Sequence, residues 1–422
     1  MSEFLPQDGD LVFMSFHSSN TLLPELLDAE VDATIFVPGP TYDREVELSL
    51  ASFARQSETV DVLVTSPNGA VREALHDGHV ELLPARLSDY PLLMQRLAAD
   101  AERVVGVVET TPPVDGTLHP GIVGEGVETI VRLADVLIAE TNDREPRLPG
   151  LTYDVAQFDH IRTVSCPLPK MPRATVDATA EQIGQQVAEL IPDGATLQFG
   201  LGQIPAAIVS ELSGRTGFGL HSGFLGPFVR DLIEQEIVTR GSPVLEGEDG
   251  GPLSEPASAI AVLGPDREFY QWLERSGAVH ICGIDSIVSP TVRTRETFVA
   301  INSAIEVDIL GQINATHIGS RIFSGPGGQP DYFRLARESE GGIGIMALSS
   351  RTKSDISKVV EGISADSAVT TRWFESDYIV TEQDVADLRT ATPAQRARRL
   401  IRTAHPDVRD ELRAAAQEQS LL

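Results

Sequence analysis

Four short stretches of this chain hold residues able to do chemistry. Gly200-Leu201-Gly202-Gln203-Ile204-Pro205 follows the apolar run Thr196–Phe199. Its two glycines let the backbone approach a ligand, and a proline in the first turn opens a helix whose free N–H groups favour an anion. A plain structural turn has the same signature. Asn302 lies in Ala300-Ile301-Asn302-Ser303-Ala304-Ile305-Glu306-Val307-Asp308, whose alternation reads as a strand pair. A polar side chain in an apolar strand needs a partner. Gly325, Gly327 and Gly328 crowd the segment Ser324–Arg334, where backbone N–H groups can converge on one oxygen, an oxyanion or a thioester carbonyl, or can simply turn a hairpin. His17, in Ser15-Phe16-His17-Ser18-Ser19-Asn20, ends another apolar run, and strand ends are where open α/β proteins keep function. Either His17 or His221 can act as a general base. The plain alternative is a surface His17 beside a helix cap at Ser18 or Ser19.

Positioning these groups falls to alternating strands and helices, the pattern of parallel α/β layers. Strands are expected over Leu11–Phe16, Ala33–Val37, Val60–Thr65, Val104–Val108 and Val136–Ala139, with helices over Tyr90–Ala99 and Val127–Ala134. Continuous apolar strands imply sheets covered on both faces. Pro167, Pro169 and Pro172 mark a linker, which predicts one domain over residues 1–172 and a second over 173–422. The second begins with a helix near Thr179, where Thr179 and Gln182 have the spacing of a capping box. Strands follow at Thr196–Phe199, Gly219–His221, Ala259–Leu263, Val279–Cys282, Val299–Asn302, Ile343–Leu348, Ala368–Thr371 and Tyr378–Thr381. The tail from Ala394 to Gln417 reads as one or two helices.

Composition narrows the function classes. The 422 residues carry a formal charge of −29, which disfavours nucleic acid as a partner. No run is apolar and long enough to cross a bilayer, and MSEFLPQDGD lacks the features of a secretory signal. Two cysteines, Cys166 and Cys282, fit a reducing cytoplasm. Neither CxxC nor HExxH spacing occurs, so no metal is expected. Loops such as Gly39–Arg44 and Gly241–Glu255 are where specificity pockets are expected, and they carry no readable code.

Residues 198–227, QFGLGQIPAAIVSELSGRTGFGLHSGFLGP, resemble the active-site segment of the acetyl-CoA hydrolase/4-hydroxybutyrate CoA-transferase family. AINSAIEVD and the run from Ser324 to Tyr332 resemble two further family signatures, S-G-x-G-G-Q-x-D-F in the second case. Thr111-Pro112-Pro113 and Ala139-Glu140-Thr141-Asn142 extend the likeness, as do Val385–Arg389 and Ala404–Asp407. The resemblance implies two related open α/β/α domains with the site in the cleft between them, and a homodimer. It also implies an acyl-CoA substrate, with coenzyme A bound by Gly200, Leu201, Gly202, Gln203, Ile204, Gly325, Gly327, Gly328 and Gln329. Asn302 is implied to hold an acyl or pantetheine carbonyl.

Two positions depart from the family's pattern. Its strand G-[IL]-H-[ST]-E ends on a nucleophilic glutamate, but this chain reads Gly219-Leu220-His221-Ser222-Gly223, and Tyr332 replaces a phenylalanine. Covalent catalysis on a carboxylate has no substitute at a glycine. The expectation is therefore an acyltransferase that moves an acyl group from CoA directly to a small acceptor admitted into the vacated space. Alternatives are CoA transfer with another nucleophile (Glu211, Asp231 or Glu234), acyl-CoA hydrolysis, or a non-catalytic CoA-binding protein.

Overall fold

The computed structural model describes residues 5–15, 17, 21–29, 31–241, 257–288 and 297–422. Ser18, Ser19 and all but the first residue of the Gly241–Glu255 loop lie outside them. Two compact units form: Met1–Pro172 with Ser258–Ile287 and Phe323–Gly327, and Arg173–Ala257 with Val288–Ile322 and Gly328–Leu422. The chain changes unit at the proline-rich segment after Cys166, and later segments return to the first unit.

In the first unit a sheet is built from β1 (Asp10–Ser15), β2 (Ala33–Val37), β3 (Val60–Val64), β4 (Glu81–Leu82), β5 (Arg103–Thr110), β6 (Val136–Asn142) and β7 (His160–Val164). Their order is β4-β3-β2-β1-β5-β6-β7, and all pairs are parallel. Parallel neighbours need long crossovers, which the helices Arg44–Gln56, Gly69–His76, Tyr90–Asp100 and Val127–Leu133 provide. Asp43 starts the first of these by accepting from Glu45 N at 2.7 Å. A side chain at Gly106 would come within 2.6 Å of Ile130, so only glycine lets the helix Val127–Leu133 lie this close to β5. Strand order reverses between β1 and β5, which makes their carboxyl ends the topological switch point.

Six strands of a second, eight-stranded sheet lie in the other unit: β8 (Thr196–Phe199), β9 (Gly219–Leu225), β10 (Phe298–Asn302), β11 (Ile343–Ala347), β12 (Tyr378–Val380) and β13 (Val385–Asp387), ordered β9-β8-β10-β11-β12-β13. All these pairs are parallel except the antiparallel β12–β13 edge. Here the order reverses between β8 and β10. Helices α1 (Ala178–Leu190), α2 (Gln203–Glu211) and α3 (Gln329–Glu338) frame the strand ends. Gly184 in α1 sits 2.9 Å, measured from the place of a Cβ, from the Ala207 side chain of α2, so the two helices pack in close contact.

Two expectations fail locally. Asp177, not Thr179, caps α1, accepting from Ala180 N at 2.9 Å; the carboxylate is the better acceptor and sets the start earlier. Ala368–Thr371 forms no strand, because Thr371 finds a single backbone rung opposite Ile313. The tail forms two helices, Pro393–Thr403 behind a Thr392/Gln395 capping box and Arg409–Glu418. Among the described residues no helix is long and apolar enough to cross a membrane.

Candidate active site

At the switch point of the second sheet, β8 and β10 end side by side, with Gly200 N donating to Ile301 O at 2.9 Å. Beyond them opens a cavity of about 260 Å³. Its apolar wall includes Ile183, Leu201, Ile204 and Ile301, and its polar groups include Asn302, Ser303, Ser349 and Lys358. The whole stretch from Gly200 to Pro205 lines it. Gly202 adopts φ +116° just before α2, a conformation open only to glycine, and a side chain there would meet nothing within 4 Å. That residue type is thus required by the turn and leaves the start of α2 uncovered. Asn302 has the partner its strand demands: its Nδ2 donates to Gln198 Oε1 at 2.8 Å, across the β8–β10 pair.

Neither His221 nor Gly223 lines this cavity. His221 is fully buried in β9, its ring edge-on to Phe298 with centroids 6.2 Å apart. Phe298 in turn stacks on Tyr332 of α3, at 6.4 Å and 20°. The tyrosine's Oη lies 2.7 Å from where a Cβ on Gly223 would be. The space expected beside Gly223 is therefore taken by the Tyr332 phenol, and the two departures from the family's pattern touch each other. Ser222 turns the other way, its Oγ 3.0 Å from the carbonyls of Phe199 and Phe224.

The second glycine segment is divided between the two units, the boundary falling between Gly327 and Gly328. Gly325 is pressed on the backbone of Thr65, whose oxygen lies 1.9 Å from the place of a Cβ, and the Gly327 carbonyl accepts from Leu87 N at 3.1 Å. Gly328 precedes α3 and accepts from Tyr332 N at 3.0 Å. Gln329 Oε1 accepts from the Thr371 hydroxyl at 2.6 Å, while its buried Nε2 has no hydrogen-bond acceptor among the described residues.

His17 is elsewhere, at the switch point of the first sheet. It is 1% exposed and lies among carboxylates. Nε2 is 2.8 Å from Glu145 Oε1, and the backbone N donates to Glu109 Oε2 at 3.1 Å. Asn142 donates to the other Glu109 oxygen, and Ile122 N to the other Glu145 oxygen. Burial alone would depress the imidazole, but Glu109 and Glu145 outweigh it and push its pKa up to about 9. Nδ1 lies 3.8 Å from Glu109 Oε2, beyond hydrogen-bond distance, and a buried ring that these carboxylates favour in its protonated form is a poor general base. His17, Glu109 and Glu145 each bring a ligating atom within 4.8 Å of one another, a grouping invisible in sequence spacing. The 2.8 Å contact is that of a charge-assisted hydrogen bond. Nearby, Tyr42 donates to Glu125 at 2.6 Å, and burial pushes that carboxyl up to about 7. Glu125 packs directly on Gly39 (φ +79°), fixing the start of the Gly39–Arg44 loop.

Residues 265–416 match the acetyl-CoA hydrolase/transferase C-terminal domain. Over 82% of its length the chain is 31% identical to 4-hydroxybutyrate coenzyme A transferase of Clostridium kluyveri, covering 79% of that protein. It is 32% identical to succinyl-CoA:acetate/propanoyl-CoA:succinate CoA transferase of Fasciola hepatica, over 82% of this chain and 72% of the relative. The chain belongs to the acetyl-CoA hydrolase/transferase family. RipA from Yersinia pestis is similar in structure, with a TM-score of 0.86 at 26% identity, covering 99% of this chain and 96% of that one. The 4-hydroxybutyrate CoA-transferase of Porphyromonas gingivalis has a TM-score of 0.78 at 25% identity, covering 99% and 95%.

Three residues of these two groupings escaped sequence reading. Glu109 and Glu145 are 92 and 128 residues from His17, so no spacing links them. Lys358 had a usable signal. The chain has three lysines, Lys170, Lys353 and Lys358, and one of them directly precedes an apolar pair, Val359-Val360.

Proposed function

We propose that this protein passes the acyl group of a coenzyme A thioester straight to a small acceptor, with nothing loaded covalently on a side chain. A lone pair of the acceptor forms the new bond to the acyl carbon, the carbon–sulfur bond breaks, and its electrons leave on the CoA sulfur. The observation that carries this reading is the Gly223–Tyr332 contact, 2.7 Å from Oη to the site of a Cβ. It supplies no carboxylate and leaves little room for one. The Gly200–Pro205 turn and Asn302, on one cavity, support docking of the thioester beside α2. Relatives named CoA transferases and acetyl-CoA hydrolases support chemistry on acyl-CoA thioesters.

With His17 hydrogen-bonded to buried Glu145 and His221 sealed against Phe298, the reading favours an acceptor that needs no base. An amine meets that condition: its free-base form attacks through the nitrogen lone pair, and the proton it sheds goes to the departing CoA thiolate. We hold the enzyme to be a cytoplasmic homodimer that works without a metal; light scattering on the purified protein tests the dimer. The direct test of mechanism is incubation with an acyl-CoA followed by hydroxylamine or borohydride. No protein-bound adduct should form, while thiol release should depend on added acceptor. Trapping a glutamyl thioester would end the proposal, and release of thiol at full rate without acceptor would assign hydrolysis instead.

A further inference from the structure

Lys358 is out of place for so acidic a protein. Its 33 basic residues face 62 acidic ones, and only three of the 33 are lysines. A lysine in such a chain would ordinarily hold a carboxylate, yet among the described residues none lies within ion-pair distance of this ammonium. It stands instead in the wall of the second-unit cavity, partly buried. Its backbone is fixed on both sides: its N donates to Ser350 O at 2.9 Å, and its carbonyl accepts from Val307 N at 2.8 Å. The second bond ties Lys358 to Val307, five residues after Asn302.

We propose that Lys358 is a specificity residue of this cavity, its ammonium receiving a carboxylate or phosphate carried by the bound thioester. The inference rests on the reading of the cavity as a thioester site and adds what that ligand must carry. The rest of the wall is largely apolar, so it can hold a short carbon chain but offers nothing else of positive charge. A cation kept from water without a counter-ion is costly, and an arriving anion removes that cost. Burial accordingly pushes the lysine's pKa down, opposed in part by Glu382. Both anions share this chemistry: the distal carboxylate of a dicarboxylic acyl group, and a phosphate of coenzyme A itself.

The test compares wild type with Lys358→Met, which keeps the volume, and with Lys358→Arg, which keeps the charge. Binding of succinyl-CoA, butyryl-CoA, CoA and dephospho-CoA is measured by calorimetry. If the partner is the acyl carboxylate, Lys358→Met weakens succinyl-CoA at least tenfold and leaves butyryl-CoA unchanged. If it is the 3′-phosphate, CoA and both thioesters weaken at least tenfold and dephospho-CoA does not. If it is the pyrophosphate, all four weaken. In each case Lys358→Arg recovers part of the loss. Equal affinity of wild type and Lys358→Met for all four ligands overturns the assignment while leaving the thioester reading standing. An equal loss that Lys358→Arg does not recover also overturns it, since charge would then not be the cause. Wild type that binds none of the four sinks the thioester reading, and the role of Lys358 falls with it.

Discussion

The two sheets place their switch points alike and fill them differently. Beside β1 and β5 the first unit sets His17 among Glu109, Glu145 and Asn142, all buried and joined by hydrogen bonds among themselves. Beside β8 and β10 the second unit leaves a cavity, an uncovered helix start and a lysine with no carboxylate at ion-pair distance among the described residues. Topology makes both places available, but side chains decide whether the place becomes a clamp or a site. A cluster that satisfies itself stabilises its unit and has no capacity left for a ligand. An unsatisfied one costs stability and keeps that capacity.

This contrast predicts different penalties. His17→Ala strands two buried carboxylates and should lower unfolding stability by about 3–5 kcal/mol, read from urea titration. Leu201→Ala in the cavity wall, 44% exposed, should cost less than about 1 kcal/mol by the same assay. Equal losses would mean the first cluster is no clamp.

The pH dependence should follow the same division. A folded pKa of about 9 for His17, above its unfolded value near 6.5, contributes stability that is complete below pH ~6.5 and lost as pH rises through about 9. The loss should be on the order of 3 kcal/mol. Glu125, raised to about 7, adds a decline in the same direction between pH ~4.5 and 7. Urea midpoints at pH 5, 7 and 9.5 should fall in sequence, and His17→Gln should flatten the upper step.

Smaller effects are expected around β9 and β10. Gly223→Glu must displace the Tyr332 hydroxyl and should cost about 1–3 kcal/mol; Tyr332→Phe in the same chain should recover much of it, visible as coupling in a double-mutant cycle. Without such coupling the pair is not compensatory. Asn302→Ala leaves the buried Gln198 amide without its donor and should cost about 1–2 kcal/mol.

Much of the scaffold was legible because its strands are short β-branched runs between turn residues. Ala33–Val37 and Thr196–Phe199 appear with the bounds the sequence gives, and β5 and β9 only run longer. The Gly200–Pro205 turn was equally readable, since φ +116° at Gly202 demands its residue type. The role of His17 was not, because its partners arrive from β5 and from the loop after β6. Nor could the sequence show that His221 faces Phe298, or that the space at Gly223 is taken from α3, because both depend on tertiary packing.

The first unit closes over its own chain only with material translated much later. Gly124 N bonds to Ile260 O, Pro149 O accepts from Ile281 N, and Met171 N bonds to Gly264 O, so an N-terminal fragment stopping at Pro172 would leave two amides and a carbonyl unanswered. Engineers wishing to separate the halves would need to graft Ser258–Ile287 onto the N-terminal piece, because no single cut releases a self-sufficient fragment.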